Sequence, residues 1–595
     1  MQIFFSGAGV SAGVHLGRGE APGAEGAQAQ GGGRGQQTPP GTPPTGRGGA
    51  QLREWYRGLP IPPGAAENFS RRNNTNYMQT GVLSGLQLTS MFPNLVVENF
   101  YRKTQNSIES GKTDAPFGYV IPVQRDMTRV AQLVNLLRVQ RIEVGQAASE
   151  FKIGGETFPA GSYVVKRDQP YGRLAKNLLE RQQYPDPNLR TYDDSGWTMG
   201  LAMLTDVREI KEKAILDVKT TPVKEAVAKG KVTGSGSAGL AVAHFGSNNM
   251  IAFRYRLKDV PMRIATRSFK AEGGEFPAGS FVLTAPADLA RARAAVEELG
   301  LTAAALSSSP EVPMHEADVP RIAIYSSWDR ATQDIGWVRF TFDRFGIPYD
   351  LIYKERVKKG NLRNDYEVIV MPTQNLTRAQ VFAPPAARPV PYKRTEKYRF
   401  LGIYGETDDI TGGMGAEGVE AFHRFLDGGG TLITMGNAVR FPTDFGMART
   451  VDASGSTSNN FYAPRPIVNA EVLRLDHPVF FGYTEKIMPI KYLGGPLMTV
   501  GDPDRGNVLA RYVGGEAAVL SGLMRGAEEV RERPFAVDVP GGVSGKGRVV
   551  MFANNPIYRW QNHGEFNLVF NTLLNWNDLA AASRPAAQTT SAAAR

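Results

Sequence analysis

The sequence predicts a multidomain α/β fold, in which small α/β repeats precede a larger domain built on a parallel sheet. The chain has 595 residues, enough for three or four ordinary domains. From Pro116 onward, short apolar runs alternate with helical patterns, as they do when helices connect parallel strands. One segment containing glycine and proline also occurs twice, which indicates a repeated structural unit.

The composition is typical of a soluble globular protein, with 42% hydrophobic and 21% charged residues. No run of about 18 apolar residues occurs, so we predict no membrane-spanning helix. The formal net charge is +10, but Lys and Arg are interleaved with Asp and Glu, which favours a solvated surface over a nucleic-acid interface. The chain has no cysteine, which excludes disulfides, thiolate metal sites and a cysteine nucleophile.

The two ends of the chain are predicted to contribute little ordered structure. Residues 1–50 are interpreted as a truncated strand followed by a Gly- and Pro-rich segment, which is too poor in apolar residues to fold. Residues 581–595 are predicted to form a disordered tail. The apolar start has no Lys or Arg before it, and it therefore makes a poor secretory signal.

Residues 51–112 are predicted to be helical. A first helix carries Tyr77 and Leu88 and ends before Pro93, because proline has no N–H to continue the hydrogen-bond pattern. A second helix is predicted from Leu95 to Ser110.

Residues 113–318 are predicted to form an α/β region with two related hairpins. A strand at Phe117–Pro122 precedes an amphipathic helix, which is indicated by the spacing of Val130, Leu133, Val134 and Leu137. The repeated segment reads GGETFPAGSYVV at residues 154–165 and GGEFPAGSFVL at residues 273–283. Glycine permits positive φ and proline stiffens a corner, so we interpret each copy as a turn and a short strand rather than a ligand loop.

Residues 319–580 are predicted to form the parallel-sheet domain. Its predicted strands are Arg321–Tyr325, Tyr349–Tyr353, Glu367–Met371, Thr431–Met435 and Arg548–Ala553. Helices are predicted from Gln333 to Phe345, around Phe422, and around Phe570. Strands that alternate with helices predict a parallel sheet covered on both faces.

Several segments between residues 51 and 205 resemble the end of the catalytic domain, and the region after it, in large bacterial zinc peptidases of the carboxypeptidase A type. These segments are Arg72–Thr80, Glu98–Tyr101, Phe158–Tyr171, Leu174–Glu180 and Tyr192–Trp197. Residues 319 to about 578 are similar to the class I glutamine amidotransferase-like fold, a flavodoxin-like parallel sheet, through Gly428–Asn437 and Gly547–Phe552. The first resemblance implies an upstream or separately encoded zinc peptidase domain as the partner of this chain.

A zinc carboxypeptidase needs a His-x-x-Glu pair, a distant second histidine and a glutamate that acts as general base. None of the six histidines has glutamate three residues later; they are His15, His244, His315, His423, His477 and His563. The nearest imitation is His315-Glu-Ala-Asp318, in a connecting segment. We therefore predict no metal site, no cofactor and no catalytic residue in this chain, and the resemblance places zinc in the upstream domain alone.

A class I amidotransferase uses a cysteine nucleophile in the turn between a strand and a helix. Gly436 and Asn437 lie in that turn here, and no thiol is present. Backbone N–H groups at such a turn attract anions and polar ligands without side-chain chemistry. Gly436, Asn437 and Asp408 are therefore candidate residues of a binding cleft. His563, in the loop before the last helix, is a fourth candidate and is otherwise interpreted as a surface or capping histidine.

Three functions are compatible with these observations. The first is a non-catalytic C-terminal portion of a zinc carboxypeptidase-like protein that binds a substrate or a surface. The alternative is a free-standing binding or scaffolding protein with an amidotransferase-like fold, and the third is an enzyme with unrecognised chemistry. The resemblance implies export from the cytoplasm, and the nucleotide sequence upstream of Met1 discriminates between the first two functions.

Overall fold

The computed structural model of the protein describes residues 71–189, 191, 193–328, 332–515 and 517–579. The strand and Gly/Pro-rich segment predicted for residues 1–50, and the tail predicted for residues 581–595, lie outside the described residues. Two compact units divide the chain after Asn106.

The first unit contains the helices predicted before and after Pro93. They are α1 (Arg71–Met91) and α2 (Pro93–Thr113), of which the residues from Ser107 onward belong to the second unit. Proline is compatible with the first position of a helix, where its missing N–H would have no partner. Both helices expose large apolar side chains, namely Tyr77, Leu83, Leu86, Met91, Leu95, Val97, Phe100 and Tyr101.

The second unit begins with two copies of one α/β arrangement. The first copy consists of β1 (Gly118–Ile121), α3 (Met127–Val139), β2 (Gly145–Ala147), β3 (Phe151–Ile153), β4 (Glu156–Phe158), β5 (Tyr163–Lys166), α4 (Gly172–Leu179), α5 (Met199–Ala202), β6 (Arg208–Ile210) and β7 (Thr220–Pro222). The second consists of β8 (Lys231–Thr233), β9 (Gly239–Val242), α6 (Asn249–Arg256), β10 (Arg263–Ala265), β11 (Phe269–Ala271), β12 (Gly274–Phe276), β13 (Phe281–Leu283), α7 (Leu289–Leu299), β14 (Thr302–Leu306) and β15 (Met314–Glu316).

The predicted repeat is larger in the structure than the two hairpins. The sheet orders are β6-β1-β5-β2-β7 and β8-β14-β9-β13-β10-β15, so four equivalent strands lie in the order fourth, first, third, second in both copies. This is the strand order of a βαββαβ unit, here with a hairpin inserted after its second strand. An extra strand, β7 or β15, pairs antiparallel with the second strand of each copy.

The inserted hairpins β3–β4 and β11–β12 share their details. Phe151 stacks on Phe158 with ring centroids 5.3 Å apart, and Phe269 stacks on Phe276 at 5.1 Å. The two-residue turn of each hairpin falls at a different place in the repeated sequence, offset by one residue between the copies. Gly154 and Gly155 adopt positive φ in the first copy, whereas Glu272 and Gly273 do so in the second.

The rest of the second unit is built on the largest sheet. The helices and strands of this part of the chain are β16 (Ile322–Tyr325), α8 (Thr332–Phe345), β17 (Asp350–Ile352), α9 (Lys354–Lys358), α10 (Leu362–Asp365), β18 (Val368–Met371), α11 (Arg378–Val381), α12 (Gly415–Asp427), β19 (Thr431–Met435), α13 (Arg440–Asp444), β20 (Val451–Ser454), β21 (Ile467–Val472), β22 (Ile487–Lys491), β23 (Leu497–Val500), β24 (Val508–Tyr512), β25 (Val519–Ser521), β26 (Pro534–Gly541), β27 (Gly547–Phe552) and α14 (Phe566–Leu574).

Five of these strands, in the order β17-β16-β18-β19-β27, are parallel. The sheet then continues through β26, β24, β21 and β22, which are antiparallel. The predicted α/β fold class is confirmed, but this sheet is mixed rather than wholly parallel. Parallel strands need long crossovers, and α13 is the last α-helix before β27, so loops connect the intervening strands in antiparallel fashion.

Helices pack on the parallel part through aromatic side chains. Phe342 of α8, Phe422 of α12 and Phe570 of α14 are fully buried in one hydrophobic core. None of the helices in the described part of the chain is both long and apolar enough to cross a membrane.

Candidate ligand-binding site at the carboxyl edge of the sheet

The parallel strands have the order second, first, third, fourth, fifth along the chain, because β17 and β18 lie on opposite sides of β16. Connections from β16 and β18 therefore leave in different directions, and this reversal is the topology that creates a crevice outside the carboxyl ends of the strands. Ligands of open α/β sheets bind at such a position. The loops after β16, β18, β19 and β27 border this position.

Gln374 joins the first two of these loops. Its buried side chain accepts a 3.0 Å hydrogen bond from the Ser327 N–H and donates a 3.0 Å hydrogen bond to the Tyr325 carbonyl oxygen. The ends of β16 and β18 are thus held in register by one amide side chain.

Gly436 joins the next two loops. Its N–H donates a 2.8 Å hydrogen bond to the carbonyl oxygen of Asn554, which follows β27. Gly436 has a φ of +55°, and a Cβ added there would lie 2.5 Å from Thr373 Oγ1. Both the backbone conformation and the close approach of Thr373 therefore require glycine at this position.

Thr373 and Asn554, which both contact Gly436, each have a buried polar atom without a hydrogen-bond partner within the described part of the chain. These atoms are Oγ1 of Thr373 and Oδ1 of Asn554. The other end of the Asn554 amide donates to the Glu565 carboxyl group. Buried polar groups in folded proteins are almost always paired, so two unpaired atoms on residues that contact one glycine turn are consistent with a site for a polar ligand.

Two carboxyl groups that contact Asn555 and Asn554, those of Asp334 and Glu565, have raised pKa values. Burial raises the pKa of Asp334, on α8, to about 6, although Arg559 opposes the shift. Asp334 Oδ1 lies 3.4 Å from Asn555 Nδ2. Burial also raises the pKa of Glu565 to about 8, against the hydrogen bonds that it accepts from the Lys491 N–H and from Asn554. Protonated carboxyl groups can donate hydrogen bonds, which carboxylates cannot.

The loop after β27 is strained next to this site. Arg559 and Trp560 are consecutive non-glycine residues with φ values of +47° and +55°. Such conformations cost free energy and persist only where surrounding contacts enforce them. Here the Arg559 Nη1 donates a 2.9 Å hydrogen bond to the carboxylate of Asp193.

The neighbouring Asp194 extends this contact into a network. It accepts a 3.1 Å hydrogen bond from the Tyr558 hydroxyl and lies 3.4 Å from the buried Lys491 ammonium. Arg465, itself at a φ of +51°, pairs with both Asp193 and Asp194. No sequence pattern around Asp193 and Asp194 predicts this network, because Arg465 lies 271 residues from Asp194.

The structure places the four predicted site residues at three different positions. Gly436 and Asn437 lie at the carboxyl end of β19, where exposed Asn437 donates a 3.2 Å hydrogen bond to Asn375. Asp408 is 89% exposed in its side chain and pairs with Lys393.

His563 is buried, so the surface position predicted for it is wrong. Its ring contacts Gln132 of the first repeat at 3.1 Å, and its carbonyl oxygen accepts a 2.9 Å hydrogen bond from Asn248 of the second. Burial lowers the pKa of His563 to about 4, which keeps the ring neutral.

A second hollow of about 390 Å³ lies beside β17. Trp328 stacks on Tyr353 in its wall, with ring centroids 3.8 Å apart, and donates a 2.9 Å hydrogen bond to Glu355. Thr407 also donates to Glu355, at 2.7 Å. The segment that carries Asp408 therefore reaches this hollow, which Glu406 lines and Asp408 does not.

The available donors do not fit a catalytic zinc ion. Within the described ranges, no group of three His, Cys, Asp or Glu side chains is arranged to hold a metal. The histidines described by the structure have other contacts: His244 with Asn571, His315 with Asp578, His423 with Phe445, His477 with Asp538, and His563 with Gln132.

No protein-family model and no curated protein matches this chain. A solved structure of PurLQS from Thermotoga maritima is 17% identical over 43% of this chain and 99% of its own, with a TM-score of 0.27. A putative ThuA-like protein from Bacteroides uniformis is 13% identical over 43% of this chain and 90% of its own, with a TM-score of 0.23. A β-galactosidase from Rahnella sp. R3 is 11% identical over 49% of this chain and 33% of its own, with a TM-score of 0.23. Likenesses at this level carry no argument about activity.

Proposed function

We propose that this chain is the non-catalytic accessory part of a carboxypeptidase-like zinc peptidase, and that its carboxyl-edge crevice binds a small polar ligand. The observation that carries the ligand proposal is that Thr373 and Asn554, which both contact Gly436, each have a buried atom, Oγ1 and Oδ1 respectively, that is unpaired among the described residues. An amide oxygen accepts a hydrogen bond and a hydroxyl group can donate or accept one. A carboxamide group, which has both a donor and an acceptor, matches this pair.

The partner proposal is supported by the exposed apolar side chains of α1 and α2. Contiguous apolar surface of this kind marks contact sites with other proteins. Leu83 and Leu86 are 64% and 62% exposed, one turn apart on α1, and Phe100 of α2 is 64% exposed. These helices fall within the residues that resemble the end of a zinc carboxypeptidase domain. We therefore propose that a zinc peptidase domain with a His-x-x-Glu motif, encoded upstream or separately, is the partner.

The ligand proposal is tested by thermal unfolding with L-glutamine and with L-glutamate as probes. A ligand at about 100 times its Kd raises the free energy of unfolding by about 2.7 kcal/mol, so millimolar L-glutamine should raise Tm measurably. L-glutamate should raise it less, because its side-chain carboxylate has no donor for the Asn554 oxygen.

The decisive variant is Thr373→Val, which removes the unpaired hydroxyl group at nearly constant volume. Its matched control is Thr341→Val, because Thr341 Oγ1 is also buried and unpaired within the described residues but lies within the core helix α8. The L-glutamine effect should disappear in Thr373→Val and persist in Thr341→Val. Equal effects of L-glutamine on both variants, or none on the wild type, would refute binding at this crevice.

A further inference from the structure

The two α/β repeats differ at one edge of their sheets. In the second repeat, the outer edge of β14 is covered by β8, which pairs with it in parallel from Thr302 with Lys231 to Ala304 with Thr233. In the first repeat, the equivalent strand β6 ends the sheet formed by the described residues. The remaining strands of the two sheets correspond one to one, so within that part of the chain the first repeat lacks only this strand.

A cleft of about 1420 Å³ follows the free edge of β6. Residues 206–212, which include all of β6, line it. Tyr119 and Ile153 also line it, although they belong to hydrophobic clusters on opposite faces of the sheet. The cleft therefore runs along the strand edge itself, where backbone N–H and C=O groups are available for pairing.

One buried polar atom in this cleft has no partner among the described residues. Tyr119 is 1% exposed, and its hydroxyl group makes no hydrogen bond there. Burial raises the pKa of Tyr119, so the hydroxyl group keeps its proton and remains a donor. An acceptor from a bound chain would satisfy it.

The lining of the cleft has a net negative charge in a chain whose formal net charge is +10. Six acidic side chains and four basic side chains line it. Arg208 pairs with Asp206 and Glu156, and Lys176 pairs with Glu180. Glu209, Glu212 and Glu485 make no ion pair within the described part of the chain, and all three are exposed.

We infer that this cleft binds an extended segment of another polypeptide, which pairs with β6 as β8 pairs with β14 and places Lys or Arg side chains near Glu209 and Glu485. Strand addition of this kind obtains affinity from main-chain hydrogen bonds and specificity from alternate side chains. The occupant is a strand because an internal strand occupies the equivalent place in the second repeat. We expect this strand to be basic because the carboxylates of Glu209, Glu212 and Glu485 make no ion pair within the described part of the chain.

The test uses a fluorescein-labelled peptide of alternating lysine and valine, with binding to the full chain followed by fluorescence anisotropy. Saturable binding is expected. The same peptide with alternate backbone nitrogens methylated should bind at least about tenfold more weakly, because methylation removes the main-chain donors but not the charge. Equal affinity of the two peptides would overturn strand addition.

Two variants locate the binding. Glu209→Lys combined with Glu485→Lys should weaken binding about tenfold by reversing the charge of the cleft, whereas the control pair Glu297→Lys with Glu311→Lys should leave it unchanged. Tyr119→Phe should weaken binding several-fold without lowering Tm, since the lost hydroxyl group has no hydrogen-bond partner among the residues that the structure describes. Equal binding by the two charge-reversal pairs, or unchanged binding by Tyr119→Phe, would place the peptide elsewhere.

Discussion

The backbone N–H of Gly436 donates a 2.8 Å hydrogen bond to the carbonyl oxygen of Asn554, and this bond joins the loops that follow β19 and β27. It also holds Gly436 against Thr373, the residue two positions after β18. Three neighbouring strand ends are therefore connected through one glycine. Thr373 Oγ1, which is unpaired among the described residues, occupies the space that a side chain at position 436 would need.

Replacement of Gly436 by alanine tests this connection. The new Cβ would lie 2.5 Å from Thr373 Oγ1, and the φ of +55° is unfavourable for alanine. We expect the free energy of unfolding to fall by about 2–4 kcal/mol, measured by urea denaturation. Gly429→Ala is the control, because Gly429 has a φ of +82° but nothing within 4 Å of its added Cβ. It should cost only about 1 kcal/mol. Equal losses of free energy of unfolding in Gly436→Ala and Gly429→Ala would show that the close approach of Thr373 does not add to the cost.

Glu565 predicts a specific dependence of stability on pH. Its pKa is raised from 4.5 to about 8, so the folded state holds this proton more tightly than the unfolded state. The associated stability is fully present below pH 4.5 and is lost as the pH rises through about 8. Glu565→Gln should remove this loss, so its stability relative to the wild type should increase by up to roughly 4 kcal/mol between pH 5 and pH 9.

The difference between Glu565→Gln and the wild type isolates this group from others that titrate in the same range. Burial lowers the pKa of His244 to about 4, so its contribution to the free energy of unfolding has the opposite pH dependence. That contribution is lost as the pH falls. Glu311→Gln, at an exposed position, is the control and should show no change with pH. A constant difference for Glu565→Gln would contradict a proton on Glu565.

Arg548 and Asp538 form a buried ion pair between β27 and β26. Arg548 donates a 2.9 Å hydrogen bond to Asp538, and His477 lies 3.2 Å from the other carboxylate oxygen. Burial opposes ionisation of Asp538, but Arg548 and His477 outweigh it and lower the pKa of Asp538. Arg548→Met should destabilise the protein by about 3–5 kcal/mol, since it removes the permanently charged partner of a buried carboxylate and leaves only the His477 contact.

A double-mutant cycle identifies the source of that loss. Adding Asp538→Asn to Arg548→Met removes the buried carboxylate charge, so the double variant should unfold at higher urea concentration than Arg548→Met alone. Additive losses would show that the two side chains do not interact.

The purified chain should contain less than stoichiometric zinc and release no C-terminal amino acids from peptides. None of its histidines begins a His-x-x-Glu pair, and its chain has no thiol. Metal content by mass spectrometry and amino acids released from peptides measure the two properties. Zinc at one atom per chain, together with measurable release, would contradict the non-catalytic function.

Structural features that depend on residues close together in the chain could be predicted from the sequence. Val130, Leu133, Val134 and Leu137 predicted a helix, and all four are fully buried in α3. The two glycine-containing segments predicted a repeat, because the same local turn needs the same residues. Gly436 was identified as a turn residue for a similar reason.

Contacts between segments that are far apart in the chain could not be predicted from the sequence. Asp193 and Asp194 lie in a loop whose sequence indicates only a turn, yet they hold Arg465 and Arg559. His563 has no sequence feature that predicts burial, and it is enclosed because two repeats and the last loop meet around it. The antiparallel strands β21–β26 lack the helical alternation on which the parallel-sheet prediction depended.

The sequence by itself determined the α/β fold class, the internal repeat and the absence of cysteine chemistry, since composition and local periodicity establish each of them. Only the tertiary structure decided which polar atoms remain unpaired and which strand edge remains uncovered. Both properties depend on what lies opposite an atom or a strand, and those partners come from segments far apart in the chain.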